Sequence, residues 1–264
     1  MKLLGYIILG IIQGFTEPLP ISSSGHLMLF KNIFNSDVLN DMNFEIFVNF
    51  GSLLAIIFLY KNEIINIIKD FFLYIKSKDK KYYDNFRYSY LIVIATIPAC
   101  IIGLLLKDFI EKNFTLKIVG LMFIITSLLL YSIKDSNGYK EKNQISIFDS
   151  IKIGLFQALA LIPGISRSGS TIVGALKSNL NRETALNFSF MLYIPISIAT
   201  LILGILDIKS NISSLLIPYL ISTFMAFITT YYSAKMFINI TKKGKLIYFS
   251  IYCFLLGFFI FILL

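Results

Sequence analysis

Charged residues are scarce in this sequence of 264 residues. They make up 15% of the chain, whereas a soluble domain carries about 25%. Hydrophobic residues make up 56%. This balance excludes a soluble globular enzyme, a disordered chain and a collagen-like fibre, and it indicates an integral membrane protein.

Cysteine and the common catalytic motifs are also rare or absent. The two cysteines, Cys100 and Cys253, lie in apolar runs without the spacing of metal ligands, so we interpret them as small core residues. The sequence contains no Walker A pattern, GxSxG elbow or dinucleotide fingerprint. Nucleotide-driven chemistry and zinc chemistry are therefore disfavoured.

Basic residues outnumber acidic ones by 24 to 15, which gives a net charge of +9. Most of them lie between apolar blocks, where the positive-inside rule for membrane proteins explains them, so we expect no nucleic-acid partner. If both termini lie outside, most Lys and Arg fall on the inside segments 61–87, 134–152, 177–182 and 242–245.

Long apolar blocks predict six spanning helices, at 44–60, 88–106, 116–133, 186–206, 214–238 and 246–264. Two shorter apolar segments each run into a cluster of Pro, Ser and Gly, PLPISSSGH at 18–26 and PGISRSGST at 163–171. Because Pro and Gly break helices, we predict two re-entrant hairpins, at 3–34 and 151–180. Segment 62–76 predicts a short amphipathic or interfacial helix.

The two predicted hairpins are equivalent parts of a predicted internal repeat at an offset of 144 residues. Three predicted spans separate them, so the second hairpin enters from the opposite face, as in an inverted-topology repeat. The matches are Gln13 with Gln157, Ile21-Ser22 with Ile165-Ser166, Ser24-Gly25 with Ser168-Gly169, Phe44 with Phe188 and Ala55 with Ala199.

These patterns predict one fold class, an all-α polytopic membrane protein. It has about six transmembrane helices plus two re-entrant helical hairpins in an inverted-topology repeat. We expect a single membrane domain over residues 1–264, with repeat halves of about 1–143 and 144–264.

Charged and titratable residues in the two hairpins are the candidates for chemistry. Glu17 and Arg167 stand in apolar surroundings, where a charge is costly and is a functional hypothesis by default. The alternative is a structural ion pair between the hairpins. His26, the single histidine, suits proton transfer near neutral pH. Glu45 begins an apolar block, and a role in the site and a place at the membrane surface are equally open.

The Ser/Gly clusters predict cradles for phosphate, because backbone N–H groups at helix starts and nearby hydroxyls bind anions. Arg167 adds a fork that can hold a phosphate through two hydrogen bonds. The alternative is that small residues only permit tight helix packing. The candidate phosphate ligands are Ser22, Ser24, Gly25, Ser166, Ser168, Gly169, Ser170 and Thr171.

Ser23 and Arg167 occupy equivalent positions in the repeat, so we expect them to face one another across a shared site. Gln13 and Glu17 share a helix face if the helix continues to Glu17. Together they are a weak candidate site for a divalent cation, which binds one or two carboxylates plus substrate phosphates when it is Mg²⁺.

The runs QGFTEPLPISSSGH (13–26), PGISRSGST (163–171) and FEIFVNFGSLLA (44–55) resemble the undecaprenyl-diphosphatase family, also called bacitracin-resistance proteins. The resemblance covers essentially the whole chain. It implies a bacterial inner-membrane phosphatase that converts undecaprenyl diphosphate to undecaprenyl phosphate and inorganic phosphate. It also implies an active site open to the outer face and a divalent cation, Mg²⁺ or Ca²⁺.

The resemblance also implies roles for individual residues. Ser23 matches the family's nucleophile, His26 its acid or base and Glu17 the second acidic residue of the E/Q-x-x-x-E motif. Arg167 matches the phosphate-binding arginine, with Ser166 and Thr171 as its polar neighbours. Gln13 stands at the first position of the E/Q-x-x-x-E motif, so a metal contact there would lack a charged oxygen.

Two functional hypotheses follow from the sequence. The first is a lipid-diphosphate phosphatase that acts on a polyprenyl diphosphate within the bilayer. Direct attack by water, with Ser23 only positioning it, is an open alternative within that hypothesis. The second is a secondary transporter or lipid flippase, because such transporters are built from inverted repeats with broken helices. A homodimer is also open at this point.

Overall fold

The structure, a computed structural model, describes residues 2–34, 42–206 and 215–263. Within these ranges the chain forms α-helices and two short 3₁₀ turns, with one isolated parallel bridge between Lys140 and Leu180. The helices are α1 Lys2–Thr16, α2 Ser23–Phe34, α3 Met42–Leu59, α4 Lys61–Ser77, α5 Tyr83–Asn113, α6 Leu116–Tyr131, α7 Ile147–Leu159, α8 Arg167–Leu176, α9 Arg182–Leu206, α10 Leu216–Lys242 and α11 Ile247–Leu263.

Each of the six long apolar blocks falls on a helix, as predicted, namely on α3, α5, α6, α9, α10 and α11. Residues 214 and 264, at the ends of two predicted blocks, lie outside the described ranges. The predicted short helix at 62–76 is confirmed as α4, which bends away from α3 by 76°. Its exposed face carries large apolar side chains such as Ile65, Ile68 and Phe72.

Long apolar helices make this chain a multi-pass membrane protein. Among the described residues, Lys80–Leu106 and Arg182–Leu206 are each long and apolar enough to cross a bilayer alone. The number rises to four if the bent pairs α3–α4 and α10–α11 each count as one span. The count of six spans therefore stays a prediction.

Both predicted hairpins are helix–break–helix structures. In the first, α1 and α2 are separated by a turn that contains Pro18 and Pro20; in the second, α7 and α8 are separated by a turn at Pro163-Gly164. With 15 residues, α1 is about 22 Å long at 1.5 Å per residue, which is less than the roughly 30 Å of a bilayer core. A single arm of the hairpin is thus too short to span.

The tips of the hairpins contact each other in a reciprocal way. A Cβ atom added to Gly25 would lie 3.2 Å from Cα of Gly164, and one added to Gly169 would lie 3.3 Å from Cβ of Pro20. Positions 20 and 164, like 25 and 169, are 144 residues apart, so exchanging the two hairpins exchanges the two contacts. Equivalent residues thus form the two halves of the junction.

A neighbouring helix packs closely against each hairpin. A Cβ atom at Gly10 of α1 would lie 2.7 Å from the Ser222 carbonyl oxygen of α10, and one at Gly154 of α7 would lie 2.4 Å from the Ala95 carbonyl oxygen of α5. Gly10 and Gly154 are equivalent in the repeat. Small residues let membrane helices approach closely, so these glycines hold α1 against α10 and α7 against α5.

The basic segments meet at one end of the molecule. Lys142 pairs with Glu63 at 3.2 Å, Lys242 pairs with Glu183 at 2.8 Å, and the Asn181 N–H donates to the Lys140 carbonyl oxygen. Because Glu183 directly follows the segment 177–182, these contacts bring together the four segments that the positive-inside rule places inside.

Candidate active site

Glu17 is the centre of a polar cluster that joins the two hairpins. Its Oε2 accepts hydrogen bonds from Ser23 Oγ at 2.5 Å and from Gln13 Nε2 at 2.9 Å, and its Oε1 forms an ion pair with Arg167 Nη2. Gln13 and Glu17 lie one turn apart at the end of α1, while Ser23 begins α2 after the Pro-rich turn. The first hairpin therefore supplies the carboxylate and the hydroxyl, and the second supplies the cation.

Arg167, the first residue of α8, is held in place by α9. Its Nη1 donates to Ser197 Oγ at 2.9 Å, and its guanidinium carbon lies 4.3 Å from the centre of the Tyr193 ring. A guanidinium over an aromatic face is stabilised by the ring quadrupole. These two contacts hold the guanidinium in the orientation in which Nη2 pairs with Glu17.

One cavity of about 270 Å³ contains the polar cluster. Its walls include seven residues predicted from sequence, Gln13, Glu17, Ser22, Ser23, Ser24, Ser166 and Arg167. They also include residues that were not predicted as part of the site, Asn49, Gln157, Tyr193 and Ser197, and Glu45, whose place was open. The predicted convergence of Ser23 and Arg167 on a shared site is thus observed.

Both α2 and α8 begin at this cavity with equivalent N-terminal caps. Ser22 Oγ accepts from the Gly25 N–H at 3.3 Å, and Ser166 Oγ accepts from the Gly169 N–H at 3.2 Å. Ser22 has a positive φ of 64°, which turns the chain sharply into α2. The positive ends of two helix dipoles therefore face one cavity, where they favour an anion.

The other predicted phosphate ligands lie outside the lining of this cavity. Ser168 Oγ donates to the Leu19 carbonyl oxygen at 2.8 Å, and Thr171 Oγ1 donates to the Arg167 carbonyl oxygen at 3.0 Å and contacts Ser189 Oγ. The Ser168 hydroxyl thus joins the two hairpins, whereas the Thr171 hydroxyl binds within α8 and contacts α9. Phosphate binding stays a prediction for all the candidates, both Ser22, Ser24 and Ser166 in the cavity and the five outside its lining, Gly25, Ser168, Gly169, Ser170 and Thr171.

His26 is buried on α2 and lies outside the lining of the cavity. Its Nδ1 is 2.7 Å from the Ser22 carbonyl oxygen, and its Nε2 is 2.7 Å from the Tyr252 hydroxyl of α11. Both ring nitrogens are thus engaged with neighbours. Proton transfer by His26 stays a prediction.

The cavity fits a hard divalent cation by its chemistry. Mg²⁺ and Ca²⁺ bind the oxygen atoms of carboxylates and side-chain amides. The cavity is lined by five such side chains, those of Glu17, Glu45, Gln13, Asn49 and Gln157. Gln13 Oε1 is buried without a hydrogen-bond partner among the described residues. In the same part of the chain no group of three or more His, Cys, Asp or Glu side chains is placed to hold a metal, so substrate oxygens would have to complete the coordination.

Several cavity residues could not be identified from their own sequence context. Asn49 accepts from Gln13 Nε2 at 2.6 Å, and both amide atoms of Gln157 are buried without a partner in the described structure. The repeat could have identified Gln157, because it matches Gln13, which was already a candidate from the sequence. It also relates Asn49 of α3 to Tyr193 of α9, which are 144 positions apart, although the residues differ.

Comparison with known proteins gives a consistent result. The family model of the bacitracin resistance protein BacA matches residues 6–259. Undecaprenyl-diphosphatase 2 of Bacillus thuringiensis is 45% identical over 258 residues, which cover 97% of this chain and 95% of the relative. Undecaprenyl-diphosphatase 1 of Bacillus licheniformis is 43% identical over 261 residues, which cover 97% and 96%.

Proposed function

The chain belongs to the BacA family of bacitracin resistance proteins, and we propose that it hydrolyses undecaprenyl diphosphate to undecaprenyl phosphate and inorganic phosphate. This membrane phosphatase recycles the lipid carrier for cell-wall synthesis. The names of its relatives support the proposal. The observation that carries it is the joining of Glu17, Ser23 and Arg167 from two hairpins in one cavity.

Substrate binding begins with an exchange of ionic partners. Arg167 pairs with Glu17 in this structure, and a diphosphate entering the cavity offers it a doubly charged acceptor. A guanidinium binds phosphate through two parallel hydrogen bonds. Arg167 moves from Glu17 to the terminal phosphate, which the N-termini of α2 and α8 also attract. In this proposal, the ion pair between Arg167 and Glu17 is the resting state of the site and not a purely structural contact.

Ser23 is placed to attack the terminal phosphorus. Its hydroxyl donates to Glu17 Oε2, and Glu17 takes the proton as the bond between Ser23 Oγ and phosphorus forms. The bond from phosphorus to the bridging oxygen breaks, and undecaprenyl phosphate leaves with that oxygen. Glu17 passes its proton to that oxygen, and the free carboxylate then deprotonates a water that attacks the phosphoserine. The bond between Ser23 Oγ and phosphorus breaks, Ser23 Oγ takes the proton from Glu17, and inorganic phosphate leaves. In the alternative, Glu17 deprotonates a water that Ser23 positions, and the same bond breaks in one step.

A divalent cation, Mg²⁺ or Ca²⁺, is the proposed cofactor. Glu17 and the Oε1 atom of Gln13 would hold it, with Glu45 at the same cavity. Such an ion adds positive charge beside the phosphate oxygens, where the transition state develops negative charge.

Proton transfer stays the proposed role of His26, and its contact with Ser22 offers a second one, that of a positioning residue. It binds the carbonyl oxygen of the residue that turns the chain into α2. A His26→Asn substitution separates the two roles, because loss of positioning alone lowers turnover and leaves the shape of the pH–rate profile unchanged. Loss of one limb of that profile would instead assign proton transfer to His26 itself.

The finer architecture is part of the proposal. We place about six spans and two re-entrant hairpins in an inverted-topology repeat, in the bacterial inner membrane, with the cavity open to the outer face. The reciprocal contacts of Gly25 with Gly164 and of Gly169 with Pro20 support the repeat. The clustering of basic segments at one end supports the orientation.

Phosphate release from undecaprenyl diphosphate by the purified protein with Mg²⁺ tests the proposed function. We expect release that a chelator abolishes and that falls by at least about a hundredfold in Ser23→Ala, while lipid binding persists. Near-normal turnover of Ser23→Ala would remove its role as nucleophile. Absence of release from the parent protein, together with movement of the lipid across liposomes, would favour the transporter.

A further inference from the structure

An apolar groove of about 300 Å³ lies beside the polar cavity, between α5 and α9. Four residues line both spaces, so the groove and the cavity share a wall: Ala99, Leu161, Ile196 and Thr200. The rest of the groove is formed by Cys100, Gly103 and Leu104 of α5 and by Ala199, Ile202 and Leu203 of α9.

The groove faces the surface that the bilayer covers. Its two walls belong to the segments Lys80–Leu106 and Arg182–Leu206, which are each long and apolar enough to cross a membrane. Leu104 and Ile202 on its rim are 65% and 54% exposed. A lipid chain can therefore lie in the groove and continue into the bilayer, while a polar head group occupies the adjoining cavity.

Gly103 keeps this groove open. A Cβ atom at Gly103 would meet only the two methyl groups of Leu161, at 3.6 and 3.7 Å, whereas one at Gly257 would lie 2.6 Å from the Gly120 carbonyl oxygen. Gly103 thus does not serve close contact between helices, although glycine in a helix is less stable than alanine. It lies one turn beyond Ala99, which lines both spaces, and a larger side chain there would fill the groove.

We propose that the groove between α5 and α9 binds the part of the polyprenyl chain next to the diphosphate. The proposal rests on the proposed function, and it specifies the path by which the polyprenyl chain extends from the polar cavity into the bilayer. The groove is lined by apolar side chains and a threonine at the shared wall, which matches a branched hydrocarbon that continues from a charged head. Because the chain comes from the bilayer and not from water, close packing against the groove stabilises the complex.

A pair of phenylalanine substitutions tests the groove by kinetics. Gly103→Phe fills it, whereas Leu105→Phe adds the same side chain to α5 at a position that is 76% exposed and lines neither space. For undecaprenyl diphosphate we expect kcat/KM to fall at least about tenfold in Gly103→Phe and less than twofold in Leu105→Phe. For dimethylallyl diphosphate, which has a single isoprene unit, both variants should match the parent. Equal losses on both substrates, or no loss on either, would overturn the proposal.

Protection of a native cysteine gives a second test that needs no turnover. Cys100 lines the groove and is partly buried, while Cys253 is fully buried and serves as an internal control. Undecaprenyl phosphate should slow labelling of Cys100 by a maleimide at least about threefold, and inorganic phosphate should not. Unchanged labelling in undecaprenyl phosphate would place the chain elsewhere. If the parent released no phosphate from any lipid, the proposed function would fail while this test still decided the groove.

Discussion

Glu17 binds three partners at once, and the two hairpins depend on it. Ser23 and Gln13 of its own hairpin donate to one carboxylate oxygen, and Arg167 of the other hairpin pairs with the second. A buried charge is tolerated only when it is paired and hydrogen-bonded. The contacts that stabilise the Glu17 charge in an apolar setting also bring together the proposed base Glu17, the proposed nucleophile Ser23 and the proposed phosphate ligand Arg167.

Gln157 is expected to trade stability for activity. Both of its amide atoms are buried at the cavity without a partner among the described residues, and such a group costs about 1–3 kcal/mol. Gln157→Leu should therefore leave the free energy of unfolding unchanged or raise it, and should lower phosphate release about tenfold if the amide binds the diphosphate. Thermal unfolding and initial rates on the same sample measure both effects.

Thr241→Val is the matched control for that substitution. Thr241 Oγ1 is likewise buried without a partner in the described structure, but Thr241 does not line the cavity. It should gain stability and keep full activity. Full activity in Gln157→Leu would remove Gln157 from the substrate-binding residues.

Single residues were predictable from sequence where burying their charge in a membrane has a high free-energy cost. Glu17 and Arg167 stood out because charges are rare at membrane depth, and Ser23 followed from its position opposite Arg167 in the repeat. Tyr193 and Ser197 did not stand out, since tyrosine and serine within an apolar helix are typical of packing. Only the packing of α9 against α8 brings them to the guanidinium. His26 was singled out by residue type, and its burial against Tyr252 depends on α11, far away in the chain.

Helices and their breaks were largely predictable, because hydropathy and Pro or Gly act locally. The interruptions after α1 and α7 fall at the two Pro/Ser/Gly clusters, as expected. Hydropathy predicted the ends of the helices less well. The block 88–106 extends to Tyr83–Asn113 in α5, because its flanking polar residues continue the helix although they end the apolar run.

Gly164 is expected to be indispensable to the second hairpin. It has a positive φ of 96°, and a Cβ atom there would lie 2.6 Å from Cβ of Met122. Gly164→Ala should lower the free energy of unfolding by at least about 1–2 kcal/mol and reduce activity, because the tip carries Ser166 and Arg167. Gly103→Ala, in a helix with open space, should leave stability unchanged or raise it by up to about 1 kcal/mol. Equal midpoints in thermal denaturation of the two variants would contradict this account of the hairpin.

At the scale of the molecule, two broken hairpins meet between apolar helices, and we propose that a twofold relation connects them. The relation appears in contacts that exchange when the halves exchange, such as those of Gly25 with Gly164 and of Gly169 with Pro20. A diphosphate lipid requires a polar chamber with access to the bilayer. The meeting of two hairpin tips beside a lipid-facing groove provides both.

The proposed orientation predicts which loops are reachable from outside the cell. In a background without Cys100 and Cys253, a cysteine at Asn113, the last residue of α5, should react with an impermeant maleimide in intact cells. A cysteine at Lys80, between α4 and α5, should react only after permeabilisation. Both positions are exposed, so the reverse pattern would invert the topology and place the cavity toward the cytoplasm.

A double-mutant cycle on phosphate release most directly tests whether the two hairpins form one catalytic site. Glu17→Gln and Arg167→Ala should each slow hydrolysis of undecaprenyl diphosphate by about a hundredfold or more. Because the two side chains act on the same phosphate, the double variant should be about as slow as the slower single variant. Losses that multiply in the double variant would show that the two hairpins work independently.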